Sequence, residues 1–248
     1  MSIGFNPFRL DPRDFVDSDI PEETFIHWFD SCDAFWRHDG DPSRPHAELA
    51  GGACSNAYVN LSKVLCYPTL TAIMAQQLVK KLRAGCAAKD HGWSGFSQVG
   101  WVVGSPYAAI TFSYEVARLM RAVHGFAEKD HEDLKKKRML WPERFSIPKG
   151  QSVLQVEELI TTSGTFQEVR RAICQASHQE QPVLFMPIVA TIVHRPPKLP
   201  AHYPDVQVAS LVEMEVWAVP PEECPLCKAG SKRVRPKSNW GQLTGHTA

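Results

Sequence analysis

The sequence lacks any excess of charge. Its 248 residues carry 27 basic and 27 acidic side chains, so no long-range field draws the chain to nucleic acid or to an anionic membrane surface. Any charged ligand must be held by local groups. A bilayer-spanning segment is also missing: the longest uncharged run, residues 92–114, is interrupted by Gly92, Gly95, Gly100, Gly104 and Pro106 and does not read as a membrane helix. The first 17 residues mix Arg9, Asp11, Arg13 and Asp14 with Pro7 and Pro12, without the basic-then-apolar order of a leader, so a cytoplasmic location is expected. Seven cysteines, an odd number scattered from Cys32 to Cys227, make no disulfide framework and fit reduced thiols. Internal repeats and low-complexity tracts are absent.

What remains is an ordinary globular composition, 44% apolar and 22% charged, long enough for one large domain with appendages. Residues 1–45 are expected to form an N-terminal extension with a peripheral helix over Glu22 to Trp36. A helix is expected from Pro68, with Leu70, Ile73, Met74, Leu78 and Leu82 on one face. Short apolar runs at Val99–Val103, Val153–Val156, Val183–Val193 and Val206–Val216 alternate with helical patterns at Glu115–His124 and Phe166–Ala176. That order predicts an α/β fold, a parallel sheet flanked by helices, with ligands beyond the carboxyl ends of the strands. Residues 46–220 are taken as this domain. Residues 221–248 form a C-terminal turn and a basic tail with Lys228, Lys232, Arg233, Arg235 and Lys237, read as solvated.

The most informative stretch runs from Val153 to Thr165: an apolar strand, then Glu157 and Glu158, Leu159 and Ile160, then Thr161, Thr162, Ser163, Gly164 and Thr165 before a helix. Hydroxyls, turn amides and a helix N-terminus together suit a phosphate dianion. Adjacent carboxylates at a strand end suit magnesium or the vicinal hydroxyls of a ribose. A ribose 5-phosphate offers both features.

This stretch resembles the phosphoribosyl pyrophosphate (PRPP) motif of the type I phosphoribosyltransferases, and other segments resemble the orotate branch of that family. Val102–Ala117 is similar to its pyrophosphate loop and following helix, and Leu49–Tyr58 to a segment in which Gly52, Ser55 and Tyr58 are kept. Phe126–Asp130 is similar to the start of its catalytic loop, Val193-His-Arg195 to its carboxylate-binding strand end, and Glu223–Gly230 to a C-terminal signature. The resemblance implies a type I phosphoribosyltransferase-like sheet with a small hood built from N- and C-terminal segments. It implies transfer of ribose 5-phosphate from PRPP to orotate, with magnesium as cofactor and a homodimer as the assembly. Glu157, Glu158 and Thr161 to Thr165 would hold the ribose phosphate, and Gly104, Ser105, Pro106 and Tyr107 would face pyrophosphate. Lys129 would be the catalytic cation, with Lys135, Lys136, Lys137 and Arg138 in reserve. Arg195 and Thr161 would read orotate.

Two alternatives stay open. Cys54 and His194 stand where the family has a histidine and an aspartate, which fits a different base. Ala108 and Ala109 replace loop glycines, which fits a protein that binds PRPP or a nucleotide without turnover. The Cys224-Pro-Leu-Cys227 pair is half of a zinc site, but no nearby spacing supplies two further ligands, so a packed turn is expected and no histidine is assigned as a ligand.

Overall fold

The computed structural model describes residues 5–49, 51–87, 99–130, 138–176 and 183–245. The chain begins with 3-10 turns at Pro7–Arg9 and Pro12–Phe15 and helix α1 (Glu22–Ser31). Strands β1 (Phe35–Arg37), β2 (His46–Glu48), β3 (Cys54–Ser55) and β4 (Ala57–Val59) lead to α2 (Ser62–Leu65) and the long α3 (Pro68–Ala87). Then come β5 (Trp101–Gly104), α4 (Ala109–Met120), β6 (Val123–Phe126), β7 (Glu128–Lys129), β8 (Met139–Leu140), β9 (Ser152–Ile160) and α5 (Gly164–Ala176). The chain continues through β10 (Leu184–His194), β11 (Gln207–Glu213), β12 (Ala218–Val219), α6 (Pro225–Lys228), β13 (Arg233–Val234) and α7 (Trp240–Thr244).

The central sheet has the order β11-β10-β9-β5-β6, with every neighbouring pair parallel. Helices cover it, so β9 reads as a continuous buried run from Val153 to Glu157 in place of an alternating one. From β5 the chain moves outward to β6, returns to the other side of β5 as β9, and then moves outward again through β10 to β11. The direction reverses between β5 and β9, the place where such sheets open a crevice at their carboxyl ends.

Three expectations are corrected here. The N-terminal helix stops at Ser31, because Asp33 takes a left-handed conformation at φ 50° and the chain turns into β1. Nor is it peripheral: Phe25, Trp28 and Phe29 are buried in the main core. The buried Gln77 of α3 fastens the preceding segment, donating to the carbonyls of Phe15 and Ser18 at 2.8 and 3.0 Å and accepting from the amide of Ile20 at 3.1 Å. The helical pattern at Glu115–His124 is two elements: α4 ends where Arg121 turns left-handed at φ 56°, and Val123–Phe126 is the edge strand β6.

Where β5 meets α4 the backbones approach closely. A Cβ on Gly104 would lie 2.3 Å from Ser113 Oγ and 3.1 Å from the carbonyl oxygen of Ala109, closer than a methyl group tolerates. Gly104→Ala is therefore expected to cost about 1–3 kcal/mol by overpacking, read as a lowered urea midpoint. Adding Ser113→Gly should recover part of the loss, and an unchanged midpoint in the single variant would show that the helix yields freely.

Candidate active site

The site is built where the sheet order reverses. The loop after β5 (residues 105–108) and the turn after β9 (residues 161–163) each lead into the N-terminus of a helix. The first amides of a helix have no intrahelical acceptor, so both walls of the crevice present unsatisfied donors and positive partial charge. Between them lies a cavity of about 760 Å³, lined among others by Tyr58, Pro106, Tyr107, Ala108, Lys129, Glu158, Leu159, Thr161, Thr165 and Arg195. That volume lies within the range of roughly 300–1,000 Å³ common for small-molecule sites.

Successive residues of a strand face opposite sides, and this separates the two acids. Glu158 lines the cavity, whereas Glu157 is buried beneath it at 1% exposure. Glu157 accepts a hydrogen bond from Ser105 Oγ and a long one of 3.5 Å from Gln155 Nε2. Gln155 in turn accepts from Arg170 of α5 at 3.2 Å and donates to the carbonyl of Phe166 at 2.9 Å. A buried polar chain thus ties the loop after β5 to the helix after β9. Burial, then the neighbouring Glu158, pushes the Glu157 carboxyl up to about 8, against the lowering effect of Ser105 and Gln155. Glu158 is also pushed upward by burial, while Lys237 and Lys129 pull it back.

The remaining expected residues divide as follows. Lys129 lines the cavity with its ammonium 4.8 Å from the centre of the Tyr107 ring. Thr162, Ser163 and Gly164 form the turn between Thr161 and Thr165 without lining the cavity themselves, and a Cβ on Gly164 would meet only Thr162 Oγ1, at 3.8 Å. Ile160 packs in a small core with Phe166 and Val189, and its carbonyl accepts from the Arg195 amide at 2.8 Å. Gly104 and Ser105 lie behind the wall: the former packs on α4 and the latter bonds Glu157. The Pro106–Tyr107 peptide is cis. Lys135, Lys136 and Lys137 lie outside the described residues; Arg138 reaches Gln175 of α5 at 3.4 Å.

Arg195 is 7% exposed, and its Nε has no hydrogen-bond partner among the described residues. Its guanidinium lies 6.0 Å from the Tyr58 ring centre.

The residues that left other readings open lie mostly elsewhere. His194 is buried, bonded through Nδ1 to Glu213 at 2.7 Å and through Nε2 to the Tyr203 hydroxyl at 3.0 Å. Cys54 lies against Cys227, outside the cavity lining. Ala109 points into the core, so of the alanine pair only Ala108 faces the cavity.

The C-terminal tail is a correction. Arg235, Pro236, Lys237 and Ser238 line the cavity, and Arg235 Nε donates to Glu48 at 2.8 Å. Among the described residues, Lys129, Arg195, Arg235 and Lys237 face two lining carboxylates, Glu48 and Glu158, so these groups leave the cavity lining net positive in an electroneutral chain. The run of basic residues without an acid was the available signal for this wall.

Because the fold holds a proton on Glu157 that the unfolded chain releases, this group favours unfolding as pH rises from about 4.5 to about 8. Glu157→Gln keeps an acceptor for Ser105 without the charge. The variant is expected to gain stability over the natural chain at pH 8 relative to pH 5, by at least about 1 kcal/mol or roughly 2–4 °C in thermal unfolding. A difference that stays constant across this range would show that Glu157 ionises freely in the fold.

No protein-family model matches the chain. It is similar to the orotate phosphoribosyltransferase of Caldicellulosiruptor bescii, at 32% identity over 194 residues that span 78% of this chain and 88% of the relative. The orotate phosphoribosyltransferase of Caldicellulosiruptor saccharolyticus is 30% identical over 218 residues, 88% of this chain and 97% of the relative. Among solved structures, UMP synthase of Leishmania donovani aligns with a TM-score of 0.52 at 16% identity, over 77% of this chain and 36% of that longer one, a likeness of fold alone. Similarity of this extent along nearly the whole of both relatives, on a five-stranded parallel sheet with its cavity at the point of reversal, means that the chain belongs to the orotate phosphoribosyltransferase family.

Proposed function

We propose that the chain transfers the ribose 5-phosphate of PRPP to orotate, giving orotidine 5′-phosphate and pyrophosphate. The observation that carries the reading is the buried Arg195 guanidinium on the cavity wall with its Nε unpartnered among the described residues. A charge in that position is costly until it meets an anion. A planar carboxylate such as that of orotate relieves the cost through two parallel hydrogen bonds.

In this reading Thr161 and Thr165, with the amides of Thr162, Ser163 and Gly164 at the start of α5, receive the 5-phosphate. Glu158 meets the ribose hydroxyls, and Thr161 also reaches the base. Glu157 acts from beneath by fixing Ser105, and through it the Pro106–Tyr107 segment that faces pyrophosphate. Lys129, held against Tyr107, supplies positive charge on the leaving-group side. The orotate ring nitrogen forms the new bond to the anomeric carbon as the bond to pyrophosphate oxygen breaks, and the proton it carried passes to the departing pyrophosphate or to water, so no protein nucleophile is needed. Positioning and charge stabilisation are what the side chains contribute.

Magnesium fits as an ion held chiefly by substrate phosphates, since among the described residues Glu158 is the one lining carboxylate not bonded to an arginine. When bound it neutralises charge on the leaving group. No described helix is long and apolar enough to cross a membrane, which is compatible with the cytoplasmic setting of the proposal. A homodimer belongs to the same reading, supported by an apolar groove of Leu65, Pro68, Ile110, Tyr114 and Phe126 beside the edge strand β6. Light scattering on the purified chain should give twice the mass of one chain.

With PRPP, magnesium and a panel of bases, pyrophosphate release is expected with orotate. Turnover of another base in its place would shift the specificity, and tight PRPP binding with no turnover of any base would make this a binding protein. Arg195→Ala is expected to lower kcat/KM for orotate at least about tenfold, the loss of a charge-assisted contact of about 1.5–3 kcal/mol, with KM for PRPP little changed. Undiminished turnover would remove Arg195 from the site.

A further inference from the structure

Away from the cavity, the fold gathers His46, Cys54, Cys224 and Cys227 so that one ligand atom from each lies within 4.8 Å of all the others. The expectation that Cys224 and Cys227 lack partner ligands is corrected by topology. The small sheet has the order β12-β3-β2-β13, with β2 carrying His46 and β3 beginning at Cys54. The Cys224–Cys227 turn connects β12 to β13, so it passes over the β2–β3 hairpin. Ligands nearly 180 residues apart in sequence therefore meet, which no local spacing could reveal.

Three of the distances among these four residues match the edges of a zinc tetrahedron. With Zn–S about 2.3 Å and Zn–N about 2.0 Å, a tetrahedron has S–S edges of about 3.8 Å and S–N edges of about 3.5 Å. Cys54 Sγ and Cys227 Sγ are 3.6 Å apart, and His46 Nε2 is 3.6 Å from Cys224 Sγ and 3.4 Å from Cys227 Sγ. His46, Cys54 and Cys224 are each 0% exposed.

The surroundings fix the imidazole as a ligand. Ser231 Oγ donates its single proton to the carbonyl of Arg44 at 2.6 Å, so toward His46 Nδ1, 2.8 Å away, it can only accept. The ring proton therefore sits on Nδ1, and the Nε2 lone pair faces the three sulfurs. Such an outer partner is what orients a metal-bound histidine. The Cys227 amide also donates to Cys224 Sγ at 3.4 Å.

We propose that His46, Cys54, Cys224 and Cys227 bind one zinc ion in a closed tetrahedral site. Three thiol protons pass to solvent as three Zn–S bonds form, His46 binds through its neutral Nε2, and no group is oxidised or reduced. With four protein ligands no position remains for substrate, so the role is structural. The ion fastens the C-terminal segment to the β2–β3 hairpin. It thereby holds Arg235 and Lys237, just beyond β13, at the wall of the cavity.

The full chain, purified without chelator and desalted, is expected to carry one zinc per chain by plasma mass spectrometry. Cobalt(II) loaded in its place should give the visible bands of a tetrahedral ion and thiolate charge transfer. Cys227→Ser should lose stoichiometric zinc, and a chelator should lower the unfolding midpoint of the natural chain but not of this variant. Should that variant fail to fold, Cys54→His keeps four ligands and is expected to retain one zinc, with weaker charge transfer in the cobalt form. Folded protein without stoichiometric zinc or a cobalt spectrum overturns the proposal. So does a Cys54–Cys227 disulfide, seen as an intact mass lighter by two hydrogens and located by peptide mapping. Metal content and spectra are read without orotate or PRPP, so their outcome is independent of the proposed transfer.

Discussion

The hydrogen bond from Ser105 to Glu157 joins the two walls of the crevice on which the rest of the site depends. In an open parallel sheet, connections that leave two neighbouring strands toward opposite sides open a crevice beyond the carboxyl ends of those strands. Something must fix the width of the opening. Here a row of buried polar groups runs from Arg170 on α5 through Gln155 and Glu157 of β9 to Ser105 beyond β5. In so dry a setting each member is costly unless it is paired, so the row sets the spacing of the two helix N-termini as well as their stability.

The pleat of β9 assigns the adjacent acids to different tasks. Glu158 looks into the positive cavity, while Glu157 belongs to the support below it. Leu159, the next residue, also lines the opening, and Ile160 packs on Phe166. Two consecutive carboxylates look like one chelating pair in a linear sequence, and only the strand geometry separates them.

What could be read beforehand was what local order encodes. The α/β class followed from short apolar runs between helical patterns, and hydroxyls placed between an apolar strand and a helix marked a turn that the fold sets at the cavity. Arg195 was legible as a strand-end cation, although its burial and its unpartnered Nε were not. The unread parts depend on separation in sequence. The boundary between α4 and β6 hides in one left-handed residue, Arg121, within a smoothly amphipathic stretch. The role of Arg235 and Lys237 required knowing that β13 pairs with β2, a contact between the two ends of the chain. His46 and Cys54 became neighbours of Cys224 and Cys227 for the same reason.

The pairing of β13 with β2 also sets an order of events during synthesis. Strand β2 emerges from the ribosome long before its parallel partner and residues 235–238 of the cavity wall. The parallel sheet can form on the nascent chain, whereas the basic wall of the crevice stays incomplete until residues 235–238 have emerged. A polypeptide terminated before Arg233 would retain the floor of the pocket and lack its basic side.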